Sequence, residues 1–176
     1  MLPSVAAGGA SNVTGSLIFG IDTQTDNASG TQTVLTVDDN AELIVNFNGQ
    51  TLAMSFIDSG SNGIFFADSS LVLCTAPPSD PTSQIVNFYC PSSTQNLPIT
   101  IQGVNGTMTN NLTFGVGNAI TMLNNNDDAY PQLAGTLPAG NAGTFDFGLP
   151  FFYGRRVAVA VEGAMTTAGT GPYIAF

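Results

Sequence analysis

The chain has 176 residues, of which 43% are hydrophobic and only 8% charged; it carries two arginines, twelve acidic residues, no histidine, lysine or tryptophan, and a net charge of −10. The missing residue types exclude a Ser-His-Asp triad, a Cys-His pair, histidine-ligated zinc, a lysine Schiff base and a P-loop lysine. Two adjacent arginines, Arg155 and Arg156, cannot neutralise a phosphate backbone, so nucleic acid is not an expected partner, and acid–base chemistry falls to carboxylates.

The length suits one domain that buries roughly 70% of the surface its unfolded chain would expose. A mean hydropathy of +0.23 argues against disorder. The polar content is Asn, Thr, Ser, Gln and Gly, which suits turns and exposed strand faces, so the expectation is an all-β domain. No apolar run reaches membrane-spanning length, and Met1 to Ser11 has neither a basic n-region nor an apolar core. The composition reads as exported, placing the protein in the periplasm, at the cell surface or outside the cell, with this chain a fragment or mature piece.

In chain order, residues 1–15 read as an extension or linker and residues 16–176 as a single unit. Ser16 to Ile21 (SLIFGI) is a predicted strand followed by a polar turn region, and Thr33 to Val37 is a second. Leu43, Val45 and Phe47 alternate with Ile44, Asn46 and Asn48; Asn48-Gly49 then suits a type I′ turn, and Leu52, Met54 and Phe56 alternate on the return strand. Asn62-Gly63 marks another turn before an apolar IFF. Cys74 and Cys90 enclose a Pro- and Ser-rich stretch; they are either a disulfide, worth about 3 kcal/mol in the chain-entropy model, or two buried thiols. A further hairpin is expected around Asn105-Gly106. Residues 124–143 read as a loop with one helical turn near Asp127 to Leu133, and the chain closes with strands at Val157 to Val161 and Tyr173 to Phe176 joined by a Gly-rich loop. The aromatic residues Phe145, Phe147, Phe151, Phe152 and Tyr153 are candidate core.

One carboxylate is out of place. Asp58 lies in MSFIDSGSNGIFF, where an apolar strand breaks at a Gly-containing turn and resumes. Either it opens an Asx-turn between two strands, or it is held by hydrogen bonds in a functional cleft. Ser59 and Ser61 can supply hydroxyls, and Gly60 lets the backbone turn sharply enough for an N–H to approach.

Phe56-Ile57-Asp58-Ser59-Gly60-Ser61 matches every position of the hydrophobic-hydrophobic-Asp-(Thr/Ser)-Gly-(Thr/Ser) motif, and here the sequence resembles the pepsin-like aspartic proteases. The likeness is to their C-terminal lobe. SLIFGIDTQ resembles its opening strand, Cys74 and Cys90 follow the motif as a disulfide loop does there, and LPITIQGVNG resembles the strand and turn after it. FDFGLPFFYGRRVAVAVEG resembles the late apolar-apolar-Gly segment, with Phe147-Gly148 at its centre. The strings FIDSGSNG, FYCP and GLPFFYGR…EG…GTGPY also resemble a bacterial domain-of-unknown-function family (DUF3443-like). The departures are Ser59, where Thr is commoner, and Asp146, where pepsins usually carry an aliphatic residue.

The resemblance implies a pepsin-like single lobe of closed or partly open barrel-like sheets with one or two short helices. It implies half of an aspartic peptidase site. Asp58 would be the catalytic carboxylate, Ser59, Gly60 and Ser61 the orienting turn, and Phe147 and Gly148 the support beneath. The second aspartate would come from a second lobe, either an earlier lobe or a homodimer mate as in retropepsins, and the substrate would be a polypeptide; no cofactor or metal is implied. The alternative is a catalytically silent binding or structural module. Asp38-Asp39 and Asp127-Asp128 are read as solvated turns rather than calcium ligands, because neither has Ca-loop spacing. Asp146 is read as a structural ion pair with Arg155 or Arg156.

Overall fold

The computed structural model describes residues 1–28, 32–106, 109–138, 140–141 and 143–176. The end of the expected turn region after Ile21, residues 107 and 108 just past the expected Asn105-Gly106 turn and two positions of the expected 124–143 loop lie outside the described residues. The strands are β1 (Val34–Thr36), β2 (Leu43–Phe47), β3 (Gln50–Ile57), β4 (Ile64–Phe65), β5 (Gln95–Gln102), β6 (Thr109–Val116), β7 (Ala134–Gly135), β8 (Asp146–Phe147), β9 (Ala158–Ala160), β10 (Met165–Thr166), β11 (Gly169–Thr170) and β12 (Tyr173–Ala175). One short helix, α1 (Ala119–Leu123), and two 3₁₀ turns, Gln84–Asn87 and Leu149–Phe152, complete the described elements. The protein is therefore mostly β.

Seven strands form one sheet in the order β6-β5-β2-β3-β8-β4-β7, and β1-β12-β9 form a second. The large sheet curls nearly shut: the Gly117 N–H, one residue past β6, donates to the Gln132 carbonyl just before β7 (2.9 Å). A nearly closed barrel protects its edges from pairing with other chains. The interior is aromatic. Phe66 stacks on Phe145 at 4.9 Å between ring centroids, Phe47 and Phe114 pack edge-on to both, and Phe147 continues the cluster to Phe151. Phe145, Phe147, Phe151 and Tyr153 are buried as expected, and Phe152 is half-buried.

Local turn chemistry places the hairpins. Asn48 and Gly49 take φ of 49° and 75°, the left-handed pair a type I′ turn needs, and β2 and β3 pair directly across them. The return strand does not keep the simple alternation. Leu43 faces Ser55 but Val45 faces Leu52, so three steps on β3 oppose two on β2. This bulge turns Met54 outward and buries Ser55 instead. Ser55 tolerates burial because its hydroxyl donates to the Leu52 carbonyl (3.0 Å) and accepts from the Phe145 N–H (3.0 Å).

Three other expectations change. Ser16 to Ile21 is not a strand: among the described residues only Ser16 finds a backbone-to-backbone partner, at Met1, while Leu17 and Phe19 are 84% and 87% exposed. An apolar run becomes a strand only where a neighbouring edge can pair with it, and among the described residues none reaches this one. The helical turn falls at Ala119–Leu123 rather than near Asp127, because Asn118 caps it, its Oδ1 accepting the Thr121 N–H at 3.0 Å. The Gly-rich loop before β12 contains the small hairpin β10–β11.

Cys74 and Cys90 form a disulfide across 16 positions. Beside it, Leu73 bridges Tyr89, and Phe88 and Tyr89 pair with Gly135 and Ala134, so the bonded loop covers the β7 edge. A disulfide of this kind is consistent with an oxidising, extracellular setting. Replacing Cys74 and Cys90 together by Ala is expected to lower unfolding stability by about 3 kcal/mol, read from urea unfolding as a lower midpoint with a steeper slope, because the unfolded chain without the cross-link exposes more surface.

Candidate functional site

The site is made by three short strands. β3 ends at Ile57 and β4 begins at Ile64, and the turn between them carries Asp58 to Gly63. β8, about eighty residues on, inserts between the two: it runs parallel to β3 (Phe56 beside Asp146, Ile57 beside Phe147) and antiparallel to β4 (Ile64 beside Phe147, Phe65 beside Asp146). The turn therefore crosses over the end of β8. The Asp58 N–H donates to the Phe147 carbonyl (3.0 Å), and the Leu149 N–H donates to the Ser61 carbonyl (2.7 Å).

Gly148 is needed for this crossing. Its φ of −71° is ordinary, so the requirement is space rather than backbone freedom. A Cβ at this position would lie 2.0 Å from the Gly63 carbonyl oxygen and 2.6 Å from that of Ser61. Phe147 anchors the same strand by filling the aromatic core on the other face.

Asp58 is half-buried at the head of the turn. Its Oδ1 accepts the Gly60 N–H at 2.7 Å, and its Oδ2 accepts from the Ser61 hydroxyl at 3.1 Å. Both halves of the carboxylate are thus fixed by the turn that exposes it. Ser59, by contrast, is exposed, and its hydroxyl makes no hydrogen bond to Asp58.

The structure adds a residue that the motif does not contain. Asp146 is buried, 6% exposed, and its Oδ2 lies 2.7 Å from the same Ser61 hydroxyl. Its Oδ1 is buried without a hydrogen-bond partner among the described residues. Burial raises the pKa of Asp146 above the ordinary carboxyl range; the Ser61 hydrogen bond lowers it, and the nearby Asp58 charge adds to the rise. The expected ion pair with an arginine does not form. Arg155 sits over the Phe151 ring at 4.8 Å and donates to the Phe151 carbonyl, while Arg156 donates to the Ala28 carbonyl. The sequence signal for Asp146 was an acid between two core phenylalanines, immediately before a Gly segment; its contact with Ser61, 85 positions away, was not readable there.

A cleft of about 490 Å³ adjoins the turn, lined by Asn62 and Leu149 with Leu123, Leu133 and Tyr130 and with Asp127 and Asp128 among the lining residues. Another, of about 310 Å³, is lined by Phe147, Phe151 and Arg155 among others, and Asp58 lines neither cleft. The acidic pair at Asp38-Asp39 forms a turn in which Asp38 Oδ1 accepts the Asn40 and Glu42 N–H groups. Among the described residues no three acidic or sulfur side chains are grouped to hold a metal ion.

The fold and site define a disulfide-bonded, mostly β protein with two aspartates joined through one serine hydroxyl. A family model described as "Protein of unknown function (DUF3443)" matches residues 1–176, and the chain belongs to that family. No curated protein and no solved structure matches the chain.

Gly148→Ala is expected to lift the Asp58 turn off β8, because backbone lies on the other side of the contact and cannot rotate away. The loss in stability should be about 3 kcal/mol, measured by chemical denaturation, with broadened or shifted backbone amide signals for residues 58–63.

Proposed function

We propose that Asp58 is one carboxylate of an aspartic peptidase site that hydrolyses peptide bonds. The observation that carries this reading is a carboxylate fixed on both oxygens, by the Gly60 N–H and the Ser61 hydroxyl, on a turn that presents it to solvent. Aspartic proteolysis needs such a group: one carboxylate takes a proton from the attacking water while a second gives one to the scissile carbonyl. It needs no histidine, lysine or metal, in keeping with the composition. Two carboxylates sharing a site cannot both ionise easily, so their titrations separate.

The second carboxylate of the reaction is assigned to a second pepsin-like lobe, in the same protein or in a partner copy. Asp146 is too deeply buried to meet a substrate. The exposed Leu17 and Phe19 offer an apolar strip of the kind that contact with another lobe would cover. The cleft beside Asn62 and Leu149 has room for a substrate side chain next to the Asp58 turn. Export is part of the same proposal and accords with the disulfide.

A silent binding module is the second reading, and the observation favouring it is that Asp68, outside the motif, is held on both oxygens in a similar way, Oδ1 accepting from the Ser70 N–H and hydroxyl and Oδ2 from the Asn48 side-chain amide. Peptide cleavage by the intact protein at acidic pH separates the two. On the peptidase reading, Asp58→Asn lowers kcat/KM by about 10²- to 10⁴-fold without unfolding the protein. Cleavage that survives the substitution would overturn the assignment of Asp58, and absence of cleavage by the unaltered protein would favour the silent module.

A further inference from the structure

We propose that Asp146 is a positioning residue for Asp58: it holds a proton on Oδ2 and donates it to Ser61 Oγ, which commits the single hydroxyl hydrogen of Ser61 to Asp58. The catalytic consequence rests on the peptidase reading of Asp58; the hydrogen-bond chain does not.

Ser61 Oγ lies 2.7 Å from Asp146 Oδ2 and 3.1 Å from Asp58 Oδ2. A serine hydroxyl has one hydrogen and two lone pairs. Facing two ionised carboxylates, it could satisfy one, and the other contact would set a lone pair against an anionic oxygen. Both contacts become hydrogen bonds only if one carboxyl carries a proton and donates it to Oγ.

The surroundings say which. Asp146 is the buried member, and its Oδ1 has no partner among the described residues, so a charge there would be poorly solvated. Asp58 is half-exposed and also receives the Gly60 N–H. The chain therefore runs from the Asp146 Oδ2–H to Ser61 Oγ, and from the Ser61 Oγ–H to Asp58 Oδ2. No proton is transferred and none is lost.

The arrangement is sensitive to pH. Asp58 is the one titratable group acting on Asp146 among the described residues. The flanking strands present Phe56 and Phe65 beside it, and the 3₁₀ turn that follows is Leu149–Phe152, which has no charged residue. When Asp146 ionises, the Ser61 hydrogen turns to the nearer and newly charged Asp146, and Asp58 loses one of its two fixed donors. The sign follows from the raised pKa. The folded state binds the Asp146 proton more tightly than the unfolded chain does, so this contribution to stability is present in acid and fades as pH rises through the folded-state value.

The test is a carboxyl-carbon NMR titration of the whole chain, as wild type and as S61A, D146N and D146A, alongside unfolding measured across the same pH range. The Asp146 signal should titrate above the ordinary aspartate range, and wild-type stability should fall through that same interval. D146N should lack the fall, because an amide N–H donates to Ser61 Oγ at every pH. S61A should weaken the response of the Asp58 signal to Asp146 ionisation. In the peptide assay D146A should lose about tenfold or more in kcat/KM, D146N should recover most of that loss, and the alkaline limb of the pH profile should move in D146N.

An Asp146 signal that titrates at the ordinary aspartate value would overturn the proposal, as would a D146N stability profile with the wild-type slope. The NMR and unfolding arms decide the hydrogen-bond chain whether or not the protein cleaves peptides, so failure of the peptidase reading is not mistaken for failure of this one.

Discussion

The candidate site depends on one close approach: the backbone of Gly148 against the carbonyls of Gly63 and Ser61. Two strands joined by a six-residue turn, 58–63, would ordinarily pair with each other as a hairpin. Here β8 lies between them and takes the backbone bonds of both. The turn must then arch over the end of the inserted strand, and it can rest there only if no side chain intervenes. From that constraint follow the Asp58 N–H to Phe147 bond, the Leu149 N–H to Ser61 bond and the height at which Asp58 stands above the barrel.

The same insertion brings Asp146 beneath Ser61. In a strand, neighbouring side chains point to opposite faces. Phe145 and Phe147 enter the aromatic core, which sends Asp146 the other way, under the turn. Burying a carboxyl costs several kcal/mol when it is charged and unpaired, and much less when it is neutral and hydrogen-bonded. A protonated Asp146 donating to Ser61 lowers that cost and gives the serine hydroxyl a fixed direction. Stability of the buried acid and orientation of the half-buried one are thus two consequences of one hydroxyl.

What was legible in the sequence was local. Asn48-Gly49 identified a hairpin because two left-handed residues are rarely used for anything else, and Phe56 to Ser61 marked the Asp58 turn because an acid interrupts an apolar strand. What was not legible depended on distant partners. The face of β3 reverses at a bulge supported by Ser55 accepting from the Phe145 N–H, 90 positions away. Ser16 to Ile21 has strand composition but, among the described residues, no edge to join, and nothing in six residues reveals that. Asp146 was read as the partner of an arginine because opposite charges attract; the arginines instead bond to carbonyls at Phe151 and Ala28, and the acid meets a serine brought to it by the strand order.

The family carries no assigned activity, so the account of Asp58 rests on chemistry read from its surroundings. On the proposed reading, this carboxylate takes part in a site built for the tetrahedral, hydrated form of a peptide bond. Binding of a statine-containing peptide, whose hydroxyl mimics that form, tests the claim directly when measured calorimetrically on the intact protein at acidic pH. The account predicts saturable binding that is lost in Asp58→Asn while the variant stays folded; no binding to the intact protein, or equal binding to the variant, would contradict it.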